Sequence, residues 1–195
     1  MKVLTIQASP RDTGNTSTIL EWVEEELKDG GHEVERMWLG RKMIYDCQGC
    51  YFCQGQEEPG VCKITRDAPP GEDAAKEVFD AMAETDAIVF GSPLYCWSLT
   101  ANVHALFHRA ISHVRNYGQE SHKTTFQGKR AGLLVSCAGP LEGNADLVTP
   151  MFERACKFLK MEKAGELIVP GCMEPAILEP QVKENAIAFA KEIAG

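Results

Sequence analysis

At 195 residues, 44% apolar and 25% charged, the chain is long enough for one domain with a sizeable core and too apolar for disorder. Its net charge of −8, with no Lys/Arg cluster to offset the acidic excess, argues against a nucleic-acid footprint. No apolar run approaches the roughly 20 residues that span a bilayer, and the run after Lys2 is too short for a signal-peptide core, so a cytoplasmic protein is expected.

The first element is a buried strand over Lys2–Gln7, carried by Val3, Leu4 and Ile6. A loop of hydroxyls, one arginine and a glycine follows, Ala8–Ser17, and then a helix over Thr16–Asp29 with Ile19, Leu20, Val23 and Leu27 on one face. Strand, polar loop and helix start together can form an anion pocket. The helix offers unpaired N–H groups and the positive end of its dipoles. Ser9, Asn15, Thr16 and Ser17 add side-chain donors and Arg11 a full charge, so a dianionic phosphate is the natural guest. The competing reading is a plain helix cap, which uses the same residue types. Gly30-Gly31 ends the helix, and Glu33–Leu39 alternates as an edge strand.

Arg41–Gly71 is irregular and holds the close-spaced cysteines; a segment this long without regular structure is usually functional. Next come a helix over Glu72–Glu84 and a short apolar strand, Ala87–Phe90, ended by Gly91-Ser92-Pro93. A helix over Thr100–Val114 precedes a polar stretch, Arg115–Gly128. The fourth strand is Lys129–Ser136, followed by the loop Cys137–Gly143 and a helix over about Asn144–Lys160. Ala164–Val169 is the fifth strand and Gln181–Ala194 a closing helix. Alternating strands and helices, with continuous apolar strands, predict an α/β domain: a doubly wound, five-stranded parallel sheet with helices on both faces. The expectation is one domain over 1–195 with a cysteine-rich insertion at about 41–71.

In such a sheet ligands bind beyond the carboxyl ends of the strands. The loops there follow Gln7, Phe90 and Val135. Neither a Gly-x-Gly-x-x-Gly fingerprint nor a Walker lysine is present, which weakens dinucleotide and nucleoside-triphosphate readings. The second loop, Gly91–Ser98, places Tyr95 and Trp97 beside Pro93, which suits a flat heteroaromatic ring. Taken alone, packing of those aromatics at the core rim is the stronger reading. The third loop carries Gly139 and Gly143, where backbone can approach a ligand or simply turn. A phosphate pocket beside a planar-ring pocket describes a mononucleotide, and FMN fits better than a purine nucleotide because no base-specific acidic or lysine motif is visible.

Ser9-Pro10-Arg11 with Gly14-Asn15-Thr16, the stretch Gly91-Ser92-Pro93-Leu94-Tyr95, and the helix carrying Arg109 together resemble the NADPH-dependent FMN reductase family of flavodoxin-like proteins. The resemblance runs from Met1 to about Gly143. It implies sheet order 2-1-3-4-5, with FMN where the strand order reverses. Ser9, Arg11, Asn15, Thr16 and Ser17 would hold its phosphate. Pro93, Leu94, Tyr95 and Trp97 would flank the ring, with Ser136 and the backbone of Cys137, Ala138 and Gly139 closing the other side. The resemblance also implies a homodimer or homotetramer. Where relatives carry Lys-x-x-x-Asp-Arg on the third helix, this chain has His104 and His108 before Arg109. That puts any pairing with Arg109 in doubt. The two histidines are one turn apart, but without a third ligand they read as packing or surface residues rather than a metal site.

Eight cysteines in a reduced compartment point to metal or redox chemistry rather than disulfides. Cys47-x2-Cys50-x2-Cys53-x8-Cys62 is the sharpest local signal. Its close spacing follows the logic of a [4Fe–4S] site, with zinc and free thiols as the alternatives. It also resembles the motif of iron–sulfur flavoproteins, although there the last gap is usually shorter. Cys137, Cys156 and Cys172 are expected to be isolated, small buried hydrophobes.

These features predict an FMN-dependent oxidoreductase moving electrons between NAD(P)H or a carrier and a small-molecule or protein redox partner, with no side-chain acid or base assigned. A non-catalytic flavodoxin-type carrier is the first alternative, and a zinc-stabilised binding module without flavin the second.

Overall fold

A computed structural model describes residues 1–173 and 178–195. Its central sheet contains β1 (Lys2–Gln7), β2 (Glu33–Met37), β3 (Ala87–Pro93), β6 (Arg130–Ser136) and β7 (Glu162–Val169). These strands are parallel and ordered β2-β1-β3-β6-β7. That is the expected order 2-1-3-4-5, because β4 (Val114–Arg115) and β5 (Lys123–Thr124) pair only with each other, antiparallel, outside the sheet. The helices are α1 (Asn15–Asp29), α2 (Lys63–Asp67), α3 (Ala75–Ala83), α4 (Ala101–Arg109), α5 (Val148–Leu159) and α6 (Pro180–Ala194). None among the described residues is long and apolar enough to cross a membrane.

Strand alternation sends side chains to two cores. On one face, Leu4, Ile6, Ile88, Phe90, Leu133 and Val135 pack with α3, α4 and α5. On the other, Val3, Val89 and Leu134 meet Ile19, Leu20, Val23 and Leu27 of α1, and Phe189 and Ile193 of α6. Covering both faces is why the central strands β1, β3 and β6 are buried at nearly every position.

The boundaries differ from the sequence reading where tertiary pairing overrides local signals. β3 continues through Gly91-Ser92-Pro93, because each of these residues pairs in parallel with β6, up to Pro93 opposite Ser136. The expected Thr100–Val114 helix ends at Arg109 and tightens to a 3-10 turn over Ala110–His113, which hands the chain to β4. The helix expected from Asn144 begins at Val148, after Gly143 turns the chain at φ +68. The cysteine segment is not uniformly irregular: it contains the short turn Phe52–Gly55 and α2.

Candidate functional site

The carboxyl ends of β1, β3 and β6 converge as the doubly wound topology requires. There, Ser9, Arg11, Gly14, Asn15, Thr16, Pro93, Leu94, Tyr95, Ser136, Cys137, Ala138 and Cys172 line one cavity of about 180 Å³. α1 opens on this cavity. Its N-cap is Gly14 and no side chain caps it; the first helical hydrogen bond runs from the Thr18 N–H to the Gly14 carbonyl at 2.9 Å. No described side chain caps the helix, and Gly14, Asn15 and Thr16 at its start line the cavity, an arrangement that can bind anions.

The loop between β1 and α1 is held from three sides. Gln7, buried at the end of β1, donates from Nε2 to the Arg11 carbonyl at 2.9 Å. Gln7 Oε1 in turn accepts from Arg36 Nη1 at 3.1 Å, and Arg36 is clamped on Glu24 at 2.7 and 2.9 Å. Trp38 Nε1 donates to the Ser9 carbonyl at 2.8 Å, and the Arg41 guanidinium stacks over the Trp38 ring at 3.8 Å. Gly40 lies so close to Ser9 that a Cβ there would stand 2.1 Å from the Ser9 carbonyl oxygen. Across the cavity, the Thr16 and Ser136 hydroxyls share a 2.6 Å hydrogen bond that joins α1 to β6.

Of the predicted residues, Ser9, Arg11, Asn15, Thr16, Pro93, Leu94, Tyr95, Ser136, Cys137 and Ala138 come together here. Ser17, Trp97 and Gly139 are not among the side chains that line the cavity. The Ser17 hydroxyl turns to Gln7 at 3.4 Å and Glu21 at 3.2 Å, leaving its place in the first turn as its connection to the site. Gly139 packs on Asn144, whose side chain would lie 2.9 Å from a Cβ at this position. Trp97 turns into a neighbouring groove with Leu147, Val148 and Met151. The cause is a tight turn in which Tyr95 and Ser98 exchange backbone hydrogen bonds of 2.8 and 3.0 Å. Cys96 and Trp97 at its tip both adopt positive φ, +48 and +61. Such turns favour Asn-Gly, so two larger side chains there hold the backbone in a strained conformation. Cys172 was missed: it follows the fifth sheet strand, so the strand-end rule used for the other loops would have found it.

The four clustered cysteines line a second cavity, about 360 Å³, with Tyr51, Lys63, His108, Arg109 and Tyr117 among its walls. Cys53 is buried, Cys47 and Cys62 half-buried, and Cys50 exposed. No three His, Cys, Asp or Glu side chains among the described residues converge as ligands of one metal ion. Arg109 and Asp73 form a wholly buried ion pair at 2.9 Å beside this cavity. Arg109 also donates to the Tyr45 carbonyl at 2.8 Å and to the Thr65 hydroxyl, tying α4 to both arms of the cysteine segment. Burial works to raise the Asp73 carboxyl, but hydrogen bonds from Arg109 and Thr65 outweigh it and hold Asp73 below its ordinary value. Arg109 thus finds its carboxylate outside its own helix. His104 and His108 do not share a ligand: His104 Nε2 pairs with Ser98 Oγ at 2.6 Å, and His108 Nδ1 with Asp46 at 2.8 Å.

The sequence profile of the NADPH-dependent FMN reductase family matches residues 1–161. The chain belongs to that family. It is 34% identical over 139 residues to an iron–sulfur flavoprotein of Archaeoglobus fulgidus, an alignment covering 71% of this chain and 56% of that protein. The chain spans about half the length of the curated relatives it matches. Its fold is that of the NAD(P)H:quinone oxidoreductase from Methanothermobacter marburgensis, with TM-score 0.71, 20% identity, and 98% and 92% of the two chains covered. It is likewise that of an FMN-dependent NADH-azoreductase from Bacillus anthracis in complex with FMN, with TM-score 0.70, 16% identity, and 100% and 98% covered. The likeness to these solved structures is one of fold; the four-cysteine cavity lies in the segment between β2 and α3.

Proposed function

We propose that the protein is an FMN-dependent oxidoreductase that takes electrons from NAD(P)H or a redox carrier and passes them to a quinone or a redox protein. The observation that carries this reading is the uncapped start of α1, opening on a cavity shared by three strand-end loops of a family named for FMN. FMN, when bound, supplies the ring that accepts a hydride or single electrons. The chain's part is placement. Ser9, Asn15, Thr16 and the N–H groups of the first turn of α1 would take the phosphate, with Arg11 supplying charge at the mouth. The cavity is smaller than the roughly 300 Å³ at the low end for small-molecule sites, so it would take the phosphate and sugar-alcohol chain. Leu94 and the half-exposed Tyr95 at the rim, with Ser136 and the Cys137 and Ala138 backbone, would then hold the ring.

Cys47, Cys50, Cys53 and Cys62 are the residues that would hold a [4Fe–4S] cluster, which supplies one-electron relay. Zinc, the other metal that four thiolates suit, would draw all four to about 2.3 Å from one ion. The four-iron reading is favoured by the compact Cys-x2-Cys-x2-Cys spacing and by the four thiols lining one cavity. An orphaned donor supports an anionic occupant: Nε of the fully buried Arg109, on the cavity wall, has no partner among the described residues. The names of the relatives support the same assignment. α4 joins the two cavities. The loop carrying Tyr95 leads into its first residue and Arg109 ends it, a span of about 12–14 Å at helical rise.

Anaerobic purification followed by a visible spectrum, FMN titration, and iron and sulfide analysis tests both assignments. A flavin spectrum with added broad absorption, iron and labile sulfide is expected. Colourless protein that takes up no FMN refutes the reading, and flavin without iron leaves a plain flavin reductase. NAD(P)H oxidation with a quinone separates the enzyme from an electron carrier, which would bind FMN without turnover. The exposed Trp97 and Leu147 beside the site support closure by a second copy of the chain, measured by light scattering.

A further inference from the structure

Two cysteines from different strands stand in the wall of the cavity assigned to FMN. Cys137 follows β6 and Cys172 follows β7, and the backbone ladder continues past both strand ends. The Cys137 N–H donates to the Val169 carbonyl at 2.9 Å, and the Cys172 N–H donates to the Cys137 carbonyl at 2.8 Å. Gly171, with φ +74, makes the turn that brings Cys172 back against Cys137. Both sulfurs lie beside the Val169 carbonyl oxygen, at 3.7 Å from Cys137 Sγ and 3.4 Å from Cys172 Sγ, and Cys137 Sγ also reaches the Gly139 carbonyl at 3.4 Å. The direct hydrogen bond from the Cys172 N–H to the Cys137 carbonyl keeps the two backbones side by side, as a disulfide, with Cα atoms ~4.4–6.8 Å apart, requires.

The two are not the isolated hydrophobes that sequence spacing suggests. Burial raises both thiols, and Cys172 is raised further by the charge of Cys137 while the Cys137 backbone N–H counters part of that effect. Cys156, by contrast, is alone in the core and pushed up to about 12 by burial.

We propose that Cys137 and Cys172 are a dithiol–disulfide pair built into the wall of the flavin cavity and closed by a small disulfide oxidant. The placement of flavin rests on the functional reading above; the chemistry of the pair does not. One thiol loses its proton and attacks a sulfur of the oxidant, forming a mixed disulfide and releasing a small thiolate, which takes up that proton. The second protein thiol displaces the remaining small thiol. Two protein thiols become one disulfide, and the oxidant becomes two small thiols. Closure bridges the loops after β6 and β7 and removes both S–H donors from the cavity wall. A bound flavin covers the pair, so loading the site slows closure.

The test incubates the reduced full chain with oxidised glutathione, blocks free thiols, and maps peptides by mass spectrometry. A Cys137–Cys172 cross-linked peptide, lighter by two hydrogens than its parts, is expected in the wild type and absent from Cys137→Ser and Cys172→Ser. FMN at ten times its Kd slows closure roughly tenfold, as mass action on an occluded site requires. Glutathione adducts without the cross-link overturn the proposal, and because the decisive peptide is read in the wild type, misfolded variants do not rescue it. A cross-link that forms at the same rate with FMN demonstrably bound overturns its placement at the flavin. A separate fluorescence titration showing no FMN binding refutes the flavin reading alone and leaves the cross-link to be judged on its mass.

Discussion

Gly40→Ala isolates the geometry of the phosphate loop from its chemistry, because the residue touches no ligand. An added Cβ would lie 2.1 Å from the Ser9 carbonyl oxygen, 2.4 Å from its carbon and 2.8 Å from Pro10 N. These are backbone atoms and cannot swing aside, so the loop or the turn after β2 must move by about an ångström to reach ordinary contact. Moving Ser9 also stretches the 2.8 Å bond from Trp38 Nε1, worth about 1 kcal/mol. Overpacking of this kind costs about 1–3 kcal/mol of stability, and in a domain of this size each kcal/mol lowers Tm by about 2–4 °C. A displacement of about 1 Å in a positioning element costs about 100-fold in function. The expected outcome is a folded protein whose FMN Kd rises about 100-fold, or ~2.7 kcal/mol. The assay is quenching of flavin fluorescence by apoprotein, paired with thermal unfolding in the absence of FMN. Gly30→Ala is the control: its Cβ meets nothing closer than 3.4 Å, and it lies at the other end of α1. A folded Gly40→Ala protein that binds FMN with wild-type affinity would falsify the claim that this loop places the phosphate.

Arg11→Ala removes a charge-assisted contact and should weaken FMN binding by about 1.5–3 kcal/mol; unchanged affinity in the same titration means the phosphate is held elsewhere. Asp73→Ala leaves the buried Arg109 uncompensated, and loss of one partner of a buried pair costs about 3–5 kcal/mol. Urea denaturation should show this, and a loss under 1 kcal/mol, about that of a surface pair, contradicts the burial argument. His113, packed against the Phe79 and Phe126 rings, is pushed by burial from 6.5 down to about 4. Its folded value lies below its unfolded one, so the unfolded chain binds the proton first. Stability is therefore complete above about pH 6.5 and falls as pH drops toward 4, by about 3 kcal/mol in total. Denaturation midpoints for wild type and His113→Gln should converge as pH is lowered through this window; parallel curves refute the assignment.

The legible part of the site was the part written in contiguous sequence at strand ends. The stretch Ser9–Thr16 is local, and its hydroxyls and glycine announce a helix start, as cap or as anion site, whatever the rest of the chain does. Whether that start was capped or open was not local, because the answer depends on what Gly14 and its neighbours meet in three dimensions. The supports were invisible for the same reason. Gln7, Arg36, Trp38 and Gly40 act on Ser9 and Arg11 only because β2 lies beside β1, and nothing in Glu33–Arg41 marks these residues as neighbours of the loop. Trp97 shows a different limit. Its type alone favoured packing at the core rim, and only the family resemblance put it beside a ring; the turn at Cys96-Trp97 carries left-handed backbone without glycine or asparagine, so no turn signal marked the neighbouring groove as its place. Arg109 makes the point most sharply. Its expected partner on α4 is replaced by His108, and the compensating carboxylate, Asp73, sits 36 residues earlier, at the far end of the cysteine segment. A lone buried arginine is too costly to persist without such a partner, but that Arg109 is buried was not legible in the sequence. Folding places Asp73 where it also anchors the chain on either side of the four cysteines.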